Sequence, residues 1–308
     1  MAAYVGVTDR DWYEFLFETG PLHPEVNFWF PSPKQGFKAV RVGEPFVFKT
    51  HYGRSPTSNR LVGVGLFSGF ARATVSEAWS LFGIGNGVES VDILRHRIEH
   101  YRKQKIGPLE DPEIGCVLLH DVVFFAPDET LPAPDGFAPS IQRGKIWDLV
   151  GTDSVVEAVL RHQIAVDQAQ ILSFGPTTGA PVPTVPRIGQ QAFKAMVAET
   201  YGHHCAITGE KVRPVLEAAH ILPVAAGGMH RVDNGLLLRS DVHTLFDRGY
   251  IGVDTKYRLR VSPALKSQFG NGDWFYAREG MTLDVPTKRA QRPNRGFLEW
   301  HNDEVFLS

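Results

Sequence analysis

The sequence predicts an α+β protein built from two domains, and three observations support this fold class. Short apolar runs separated by Gly, Pro and Asn fill residues 26 to 127 and indicate a mostly β structure. Further along, SFGPTTGAPVPTVPR is rich in Pro, Gly and Thr and predicts a semi-extended linker. Strand and helix signals resume after it. We therefore expect a first domain at 1–147, a connector helix and linker at 148–186, and a second domain at 187–308.

Length and composition are typical of a soluble globular protein. The chain has 308 residues, of which 43% are hydrophobic and 21% are charged. No run of about 18 apolar residues occurs, so the sequence predicts no membrane-spanning segment. The stretch MAAYVGVTDRDWYEF lacks a basic region followed by a long apolar region, so we expect no secretory signal and a cytoplasmic location.

The number of cysteines and the distribution of charge limit which metal ligands and which binding partners are possible. The two cysteines, Cys116 and Cys205, lie far apart, which excludes a disulfide framework and a four-cysteine zinc site. Any bound metal would therefore use His, Asp, Glu or Asn. Residues 1–186 carry 16 basic and 21 acidic side chains, whereas residues 187–308 carry 16 and 13. The second half is thus the better candidate for binding a polyanion.

In the first domain, apolar runs predict strands and two segments predict helices. The strand candidates are VNFWF, EPFVFKTHY, RLVGVGLFSGF and GCVLLHDVVFFA. A helix is predicted for VSEAWSLFG, because Thr74 and Glu77 have the spacing of a capping box. A second helix is predicted for ESVDILRHRIEHYRK, whose apolar side chains recur on one helical face. A further helix is expected from Asp148 to Leu172, crossing from one domain to the next.

The second domain opens with RIGQQAFKAMVAETYG, an amphipathic helix that ends at a glycine. HHCAITGEKVRPVLEAAHI then indicates two short strands joined by a turn near Gly209. After a glycine-bearing loop, Ser240 can cap a helix containing DVHTLFDRG, which Gly249 ends. Strand, strand, loop and helix form the ββα-metal arrangement. Residues 187 to 308 resemble the HNH nuclease family. The resemblance rests on motif elements that occur in order: EAAHI, a proline, a pair of glycines, NGLLL and HTLFDRG.

The resemblance implies a role for each motif residue. Hydrolysis of a phosphodiester requires a base that deprotonates water and a cation that stabilises the developing charge. His220 matches the general base of the family, since a neutral imidazole can take a proton near pH 7. Asn234 matches the residue that fastens the glycine loop to this histidine, and His243 matches a metal ligand. Asp247, one helical turn later, is a second ligand, an orienting group or a salt-bridge partner of Arg248.

One position departs from the family pattern. Many relatives carry Asp or His immediately before the base histidine as a metal ligand, but this chain has Ala219. Strand alternation places Glu217 on the same face, so we predict that its carboxylate replaces the missing ligand, directly or through water. Cys205 stands where relatives often begin a zinc-binding pair, but Thr208 occupies the second position, so no structural zinc is expected. The expected cation is Mg²⁺, although an imidazole ligand also admits Mn²⁺, Co²⁺ or Ni²⁺.

The expected partner is double-stranded DNA, and the C-terminal segment KRAQRPNRGFLEWHNDEVF is basic. The side chains predicted to contact phosphates are Lys288, Arg289, Arg292 and Arg295. A solvated basic loop is the alternative. One active site cuts one strand, so a homodimer, through the 148–172 helix, would supply the second cut.

The first domain has its own resemblance. The segments GEPFVFKTHYG, RLVGVGLFSG and AWSLFGIGNG are similar to the PUA superfamily of small β-barrels, which includes the SRA, EVE, YTH and ASCH branches. The resemblance implies a PUA-like β-barrel with flanking helices. Several members hold a modified base in an aromatic pocket, and PUA-type readers joined to HNH domains occur in modification-dependent restriction enzymes. The same role is implied for this chain.

A base inside a duplex can be examined fully when it is flipped out, which costs a few kcal/mol. Stacking on an aromatic side chain recovers roughly 1 to 3 kcal/mol, which is enough to offset extrusion. The side chains predicted to bind a modified base, 5-methylcytosine or 5-hydroxymethylcytosine, are Trp29, Phe30, Ser32, His51, Tyr52, Trp79 and Asn86. The competing interpretation is that most of these aromatic residues belong to the core.

Three function classes follow from these observations. We favour a modification-dependent DNA endonuclease with a reader domain and an HNH domain. The second class is an HNH nuclease directed by unmodified sequence, DNA structure, a phosphorothioate backbone or a partner protein. The third is a binding module whose nuclease site has decayed. Ala219, which stands where relatives carry a metal ligand, is consistent with this class.

Overall fold

The computed structural model describes residues 2–33, 36–173 and 189–308. The contacts of the chain divide it into two compact units, Met1–Ala192 and Phe193–Ser308. The predicted linker falls on residues 174–188, outside the described part of the chain. Among the helices in the described ranges, none has the length and apolar character needed to cross a bilayer.

Within its described residues, the first unit is built on one mixed β-sheet of seven strands. The strands are β1 (Ala2–Thr8), β2 (Leu22–Phe30), β3 (Pro45–Thr50), β4 (Arg60–Thr74), β5 (Glu113–Phe124), β6 (Leu131–Pro132) and β7 (Gly144–Asp148). Their order is β2-β5-β4-β3-β1-β7, with β6 paired to β4. Strands β1 and β3 run parallel, and the other pairs are antiparallel. Because β2 and β7 are the two ends of this path, the sheet is open. The prediction of a closed barrel is therefore wrong for the described residues.

Helices cover both faces of this sheet. They are α1 (Arg10–Thr19), α2 (Val75–Phe82), α3 (Val91–Arg102) and α4 (Ser154–Ser173). Phe46 and Phe48 of β3 are in one core with α1, whereas Val47 between them is in a second core with α4. Both faces of β3 are therefore buried, which explains why its sequence is a continuous apolar run rather than an alternating one.

The structure contains all three helices that the sequence predicts in this unit, and one of them begins later than predicted. The hydroxyl of Thr74 accepts a hydrogen bond from the Glu77 amide, and the Glu77 carboxylate accepts one from the Thr74 amide, completing the predicted capping box. The helix expected from Asp148 begins instead at Ser154, because residues 144–148 pair with β1 as strand β7. Helix α4 then packs on the sheet of the first unit through Val155 and other apolar side chains.

The second unit contains two small antiparallel sheets and short helices. Its elements are α5 (Gln190–Thr200), β8 (Leu216–His220), β9 (Gly235–Arg239), α6 (Ser240–Asp247), β10 (Ile251–Val253), β11 (Leu259–Val261), α7 (Pro263–Phe269), α8 (Asp273–Tyr276) and α9 (Arg295–Glu304). Strand β8 pairs with β9, so the two strands flank the glycine-bearing loop. The predicted order of two strands followed by the loop is wrong, because the apolar GLLLR segment supplies the second strand.

Helix α6 carries most of the HTLFDRG segment and ends at a tight turn. Ser240 is its first residue and Arg239 is the N-cap, so the predicted Ser240 cap is not formed. The helix ends before Gly249, which has φ +74° and donates its amide to the carbonyl of Phe246 at 3.0 Å. A Cβ at Gly249 would lie 2.0 Å from the carbonyl oxygen of Val305, so this turn requires glycine.

Candidate active site

His220 is the last residue of β8, and its imidazole is held on one face and at one edge. The ring stacks on Phe193 of α5, with 4.0 Å between centroids and 14° between planes. Its Nε2 atom lies 3.1 Å from Nδ1 of His230. Phe193 is fully buried, so the histidine packs against the core of the second unit. This packing sets the orientation of the ring before any substrate binds.

His230 is a site residue that the sequence did not reveal. It lies in the loop between β8 and β9, within GGMHRVDN, and a histidine ten residues after the base histidine was the available signal. Because the two imidazole nitrogens are in hydrogen-bond contact, one must donate and the other must accept. The pair therefore shares one proton across this contact, and the tautomer of one ring determines that of the other.

Asn234 closes the glycine loop, defined here as residues 222–229. Its buried side chain donates from Nδ2 to the carbonyl oxygens of Leu222 at 2.9 Å and Met229 at 3.0 Å. Its Oδ1 accepts from the Leu222 amide at 2.9 Å. A Cβ at Gly228 would lie 1.9 Å from the carbonyl oxygen of Leu222, so the closed loop also requires glycine there. One side-chain amide thus holds both ends of the segment that connects His220 to His230.

His243 of α6 lies between two carboxylates. Its Nδ1 is 2.7 Å from Oε2 of Glu217 on β8, and its Nε2 is 3.3 Å from Oδ2 of Asp247, one helical turn away. Burial raises the pKa of Asp247, and the charge of Glu217 raises it further, while His243 lowers it. Two negative groups on one imidazole leave this site with an excess of negative charge that a cation would balance.

The donor types here suit a divalent cation, but their arrangement is not that of an assembled metal centre. Across residues 2–33, 36–173 and 189–308, no three His, Cys, Asp or Glu side chains are grouped to hold a metal ion. The two carboxylates contact opposite nitrogens of His243, so they bracket the ring instead of converging. Ala219, at the position of the missing ligand, is fully buried in the core. Binding of a cation would therefore require Asp247 or Glu217 to move.

Cys205 has a structural part in the second unit. Its buried sulfur accepts hydrogen bonds from the amides of Thr208 and Arg239, each at 3.3 Å. These contacts tie the chain before β8 to the end of β9.

The predicted phosphate-contacting residues divide into two groups. Lys288, Arg289 and Arg295 are exposed. Arg292 instead donates to the carbonyl oxygens of Pro286 at 2.9 Å and Thr287 at 3.4 Å, so it stabilises its own loop. The amide of Asn294 donates to the carbonyl of Asp233 at 2.8 Å. This bond holds the basic segment beside the residue that precedes Asn234.

In the first unit, the seven predicted base-binding residues do not form one site. Trp29 and His51 lie in one cluster with Asp9 and Tyr101, which the sequence did not single out. Tyr52 is exposed to 70% beside His51. The others are an exposed Ser32, a half-buried Trp79 on α2, and Phe30, which packs against the core. A cavity of about 310 Å³ in this unit is lined by other residues: Arg102, Gln104, Lys105, Ile106, Glu110, Asp111 and Pro112.

Asn86 is buried, and its amide is engaged inside the fold. Its Nδ2 donates to the carbonyls of Ala78 at 3.0 Å and Gly83 at 2.8 Å, and its Oδ1 accepts from Asn27 at 2.9 Å. Its carbonyl oxygen accepts from the indole of Trp29 at 3.0 Å. The side-chain amide of Asn86 is therefore bonded within the fold, and its backbone carbonyl holds the indole of Trp29.

Comparison with known proteins agrees with the nuclease motif. Residues 205–254 match the HNH_2 family model, described as HNH endonuclease. No curated protein matches the chain.

Two solved structures are weakly similar in fold to this chain. A mutant of ZmASCH from Zymomonas mobilis is 8% identical, with a TM-score of 0.31, over 56% of this chain and 97% of that one. The modification-dependent TagI restriction endonuclease is 14% identical, with a TM-score of 0.27, over 92% and 75%. The family match includes His220, Asn234 and His243, so the site described above lies in an HNH endonuclease segment.

Proposed function

We propose that this protein is a modification-dependent DNA endonuclease, in which the HNH segment hydrolyses the phosphodiester and the first unit recognises a modified base. The observation that carries the nuclease activity is the loop closed by Asn234, which joins the strand of His220 to the strand that leads into the helix of His243. It lies inside the segment matched to HNH endonucleases. A fold that merely required a tight turn would not need a histidine at each of these positions.

His220 is the proposed general base. Its ring is fixed by Phe193, and its contact with His230 sets which nitrogen carries the proton. A neutral imidazole can accept the proton of the attacking water near pH 7. Because the ring is already oriented, it does not have to rotate before the proton is transferred. Asn234 positions this group by holding the loop and does not touch the substrate itself.

His243 and Asp247 are the proposed cation ligands, and Glu217 is the proposed orienting group. A metal-bound histidine commonly donates its other ring N–H to a carboxylate, and Glu217 lies 2.7 Å from Nδ1 of His243. Asp247 lies on the Nε2 side. When bound, Mg²⁺ or a related divalent cation would neutralise charge on the phosphate and on the leaving oxygen. Direct ligation by Glu217 is the alternative, and retention of metal-dependent cleavage by Glu217→Ala would exclude it.

Exposed basic side chains of the segment that is bonded to Asp233 would hold the DNA backbone. Lys288, Arg289 and Arg295 present their charges to solvent, whereas Arg292 is occupied within its loop. Contacts of this kind set position and carry little sequence information, so the choice of target falls to another part of the chain. The first unit, with Trp29 and His51 in one cluster, is the proposed reader of 5-methylcytosine or 5-hydroxymethylcytosine.

Cleavage of matched plasmids tests this proposal. Purified protein is incubated with Mg²⁺ or Mn²⁺ and with plasmids carrying 5-methylcytosine, 5-hydroxymethylcytosine, a phosphorothioate backbone or no modification. We expect cleavage of modified DNA and little of unmodified DNA. One active site cuts one strand, so nicks would precede double-strand breaks unless two copies of the chain act together.

The same experiment separates the competing functions. Equal cleavage of all plasmids would indicate an HNH nuclease addressed by sequence, DNA structure or a partner. Cleavage confined to phosphorothioate DNA would assign a backbone modification to the reader. Binding without cleavage at any metal concentration would indicate a decayed site. The matched control is His220→Ala, which should bind modified DNA as the parent does and should not cut it.

A further inference from the structure

Helix α3 and the residues after it form a basic segment in a half of the chain that is acidic as a whole. Residues 95–105 contain five of the sixteen Lys and Arg side chains of residues 1–186, but one of the twenty-one carboxylates, Glu99. That carboxylate is already engaged, because it accepts a hydrogen bond from the amide of Ile106 at 2.8 Å and lies 3.2 Å from Nδ1 of His96. The segment therefore has a local excess of positive charge.

Two of the arginines in this segment stabilise the fold. Arg95 donates to two backbone carbonyls of the loop that follows the helix. Arg102 donates to the carbonyls of Pro31 and Glu113, which joins the end of α3 to the strands β2 and β5. These two guanidinium groups are thus occupied within the unit.

The other basic side chains are here called the α3 patch: Arg97, His100, Lys103 and Lys105. Arg97 is half-buried, and the other three are exposed. Within the described part of the chain, neither lysine is paired with a carboxylate. The helix dipole favours a cation in the last turn, but Arg97 lies in the second turn and Lys105 follows the helix. The dipole therefore does not explain the patch.

Lys103 occupies a backbone position that favours glycine. Helix α3 ends in a Schellman motif, in which the amides of Gln104 and Lys103 donate to the carbonyls of Glu99 and His100, each at 3.3 Å. Lys103 has φ 54° and ψ 33°, in the left-handed region. A Cβ is disfavoured in this region because it crowds the backbone, and glycine would close the helix with less strain. A lysine at this position therefore indicates a use for its side chain.

The patch lies beside an aromatic residue of the proposed reader. Arg97 precedes Tyr101 by one helical turn, so the two side chains are neighbours on the surface of α3. The ring of Tyr101 is in turn 6.0 Å from that of Trp29. Positive charge and stacking surface are thus adjacent, which is the combination that nucleic acids require.

We propose that the α3 patch binds the phosphate backbone of DNA beside the reader. Lys and Arg side chains neutralise phosphates and release the counterions that surround DNA, which supplies affinity but carries no sequence information. This inference rests on the proposed function, because it names the surface through which the first unit holds its DNA. The first unit then has a backbone contact of its own, in addition to that of the basic segment at 288–295.

DNA binding by the full-length His220→Ala protein at several KCl concentrations tests the inference without cleavage. Fluorescein-labelled duplexes of one sequence carry a single 5-methylcytosine or no modification, and anisotropy titrations give each Kd. Adding Lys103→Gly or Lys105→Gln should lower the slope of log K against log salt by about 0.9, because each removes one phosphate contact. Both duplexes should lose affinity alike, so the ratio of their Kd values should not change.

Lys103→Gly separates a role in binding from a role in folding. Glycine relieves the left-handed strain, so Tm should equal or exceed that of the His220→Ala parent while the affinity for DNA falls. The matched control is Lys145→Gln, which removes an exposed lysine from β7, at the opposite end of the sheet from β2. Its slope should equal that of the parent.

The outcomes distinguish the patch from the reader. Unchanged slopes for Lys103→Gly and Lys105→Gln would overturn the inference, and so would an equal loss for Lys145→Gln. Equal Kd values of the parent for the two duplexes would overturn the reading of 5-methylcytosine alone, since the slopes decide the role of the patch in either case. Failure of the parent to bind either duplex would overturn both.

Discussion

The Nε2 atom of His220 and the Nδ1 atom of His230 lie 3.1 Å apart, and both rings contact Phe193. The contact joins the end of a strand to the loop that Asn234 closes. It couples the protonation of the proposed base to a residue outside the recognised motif. Only one of the two contacting nitrogens can carry the hydrogen. Replacing one ring therefore changes the tautomer available to the other.

His230→Ala should therefore lower kcat/KM for DNA cleavage without abolishing it. We expect a loss of about tenfold, a fraction of the 100- to 10,000-fold that general acid–base catalysis typically contributes. The rate against pH should also change shape, whereas His230→Gln, which keeps a polar partner, should recover part of the activity. Initial nicking rates from pH 5.5 to 9 measure this. His204→Ala, which removes an imidazole in hydrogen-bond contact with Asp284, is the control. An unchanged rate and profile for His230→Ala would remove the assigned role.

Asn234→Ala should open the glycine loop. The change leaves the amide and carbonyl of Leu222 and the carbonyl of Met229 without their partner. An unsatisfied group of this kind costs about 1–3 kcal/mol when it stays buried, and somewhat less where water can reach it. Hydrogen exchange at the Leu222 amide should accelerate, and cleavage should fall. Asn271→Ala, at an exposed turn, should leave both unchanged. Retained protection at Leu222 would show that the loop is held in another way.

The three side chains around His243 should contribute differently to cation binding. His243→Ala should remove Mn²⁺ binding measured by calorimetry, because both carboxylates lose the ring that joins them. Glu217→Gln should weaken the affinity by about 10- to 100-fold, as expected for a group that orients a ligand. Asp247→Asn should weaken it more, as expected for a direct ligand. Asp303→Asn, at an exposed position, is the control. The reverse order for Glu217 and Asp247 would identify Glu217 as the replacement ligand.

His301 should make the second unit sensitive to acid. Burial lowers its pKa to about 4, its ring stacks on Phe246 with 3.8 Å between centroids, and its Nε2 donates to the Phe246 carbonyl. Its Nδ1 is buried without a hydrogen-bond partner among the described residues. From about pH 6.5 down to about pH 4, the unfolded chain binds a proton that the folded unit does not. Stability should therefore decline as the pH falls through this window, by up to about 3 kcal/mol.

Replacement of His301 tests the acid effect. His301→Gln keeps a donor for the Phe246 carbonyl and removes the titrating group, so the decline of stability between about pH 6.5 and pH 4 should become shallower. Urea unfolding followed through the signals of the second unit gives the free energy at each pH. His204→Gln should give no such gain. Parallel pH dependences for parent and His301→Gln would contradict the assignment.

The exposed basic residues should govern the salt dependence of DNA binding. Each phosphate contact adds about 0.9 to the slope of log K against log salt, so Lys288→Ala and Arg289→Ala should each lower the slope by about one. Arg292→Ala should instead destabilise its loop, because its guanidinium holds backbone carbonyls. Lys256→Ala, an exposed lysine in the same unit, is the control. Equal slopes for all variants would favour the interpretation of a solvated loop.

Several features could be predicted from the sequence because their signals are local. The capping box of α2 depends on two residues three positions apart, and the glycine of the HTLFDRG end is required by a single turn. The spaced HNH motif also identifies His220, Asn234 and His243 as candidate site residues, because its elements occur in a fixed order along the chain. Strand β1 and helix α1 were not predicted. The closed barrel was predicted wrongly, because whether β2 and β7 pair depends on the whole sheet.

Residue types, their spacing and their local hydrogen-bonding preferences determined the α+β class, the glycine loop and the chemistry available at residues 205–254. Tertiary structure decided which atoms meet. Tyr101 reaches Asp9 across 92 positions, Glu217 reaches His243 across 26, and His230 reaches His220 from across a loop. Such contacts depend on strand register and helix packing, which arise from the sum of many weak interactions. A short sequence pattern does not contain that sum, because each pattern reports the preferences of a few neighbouring residues.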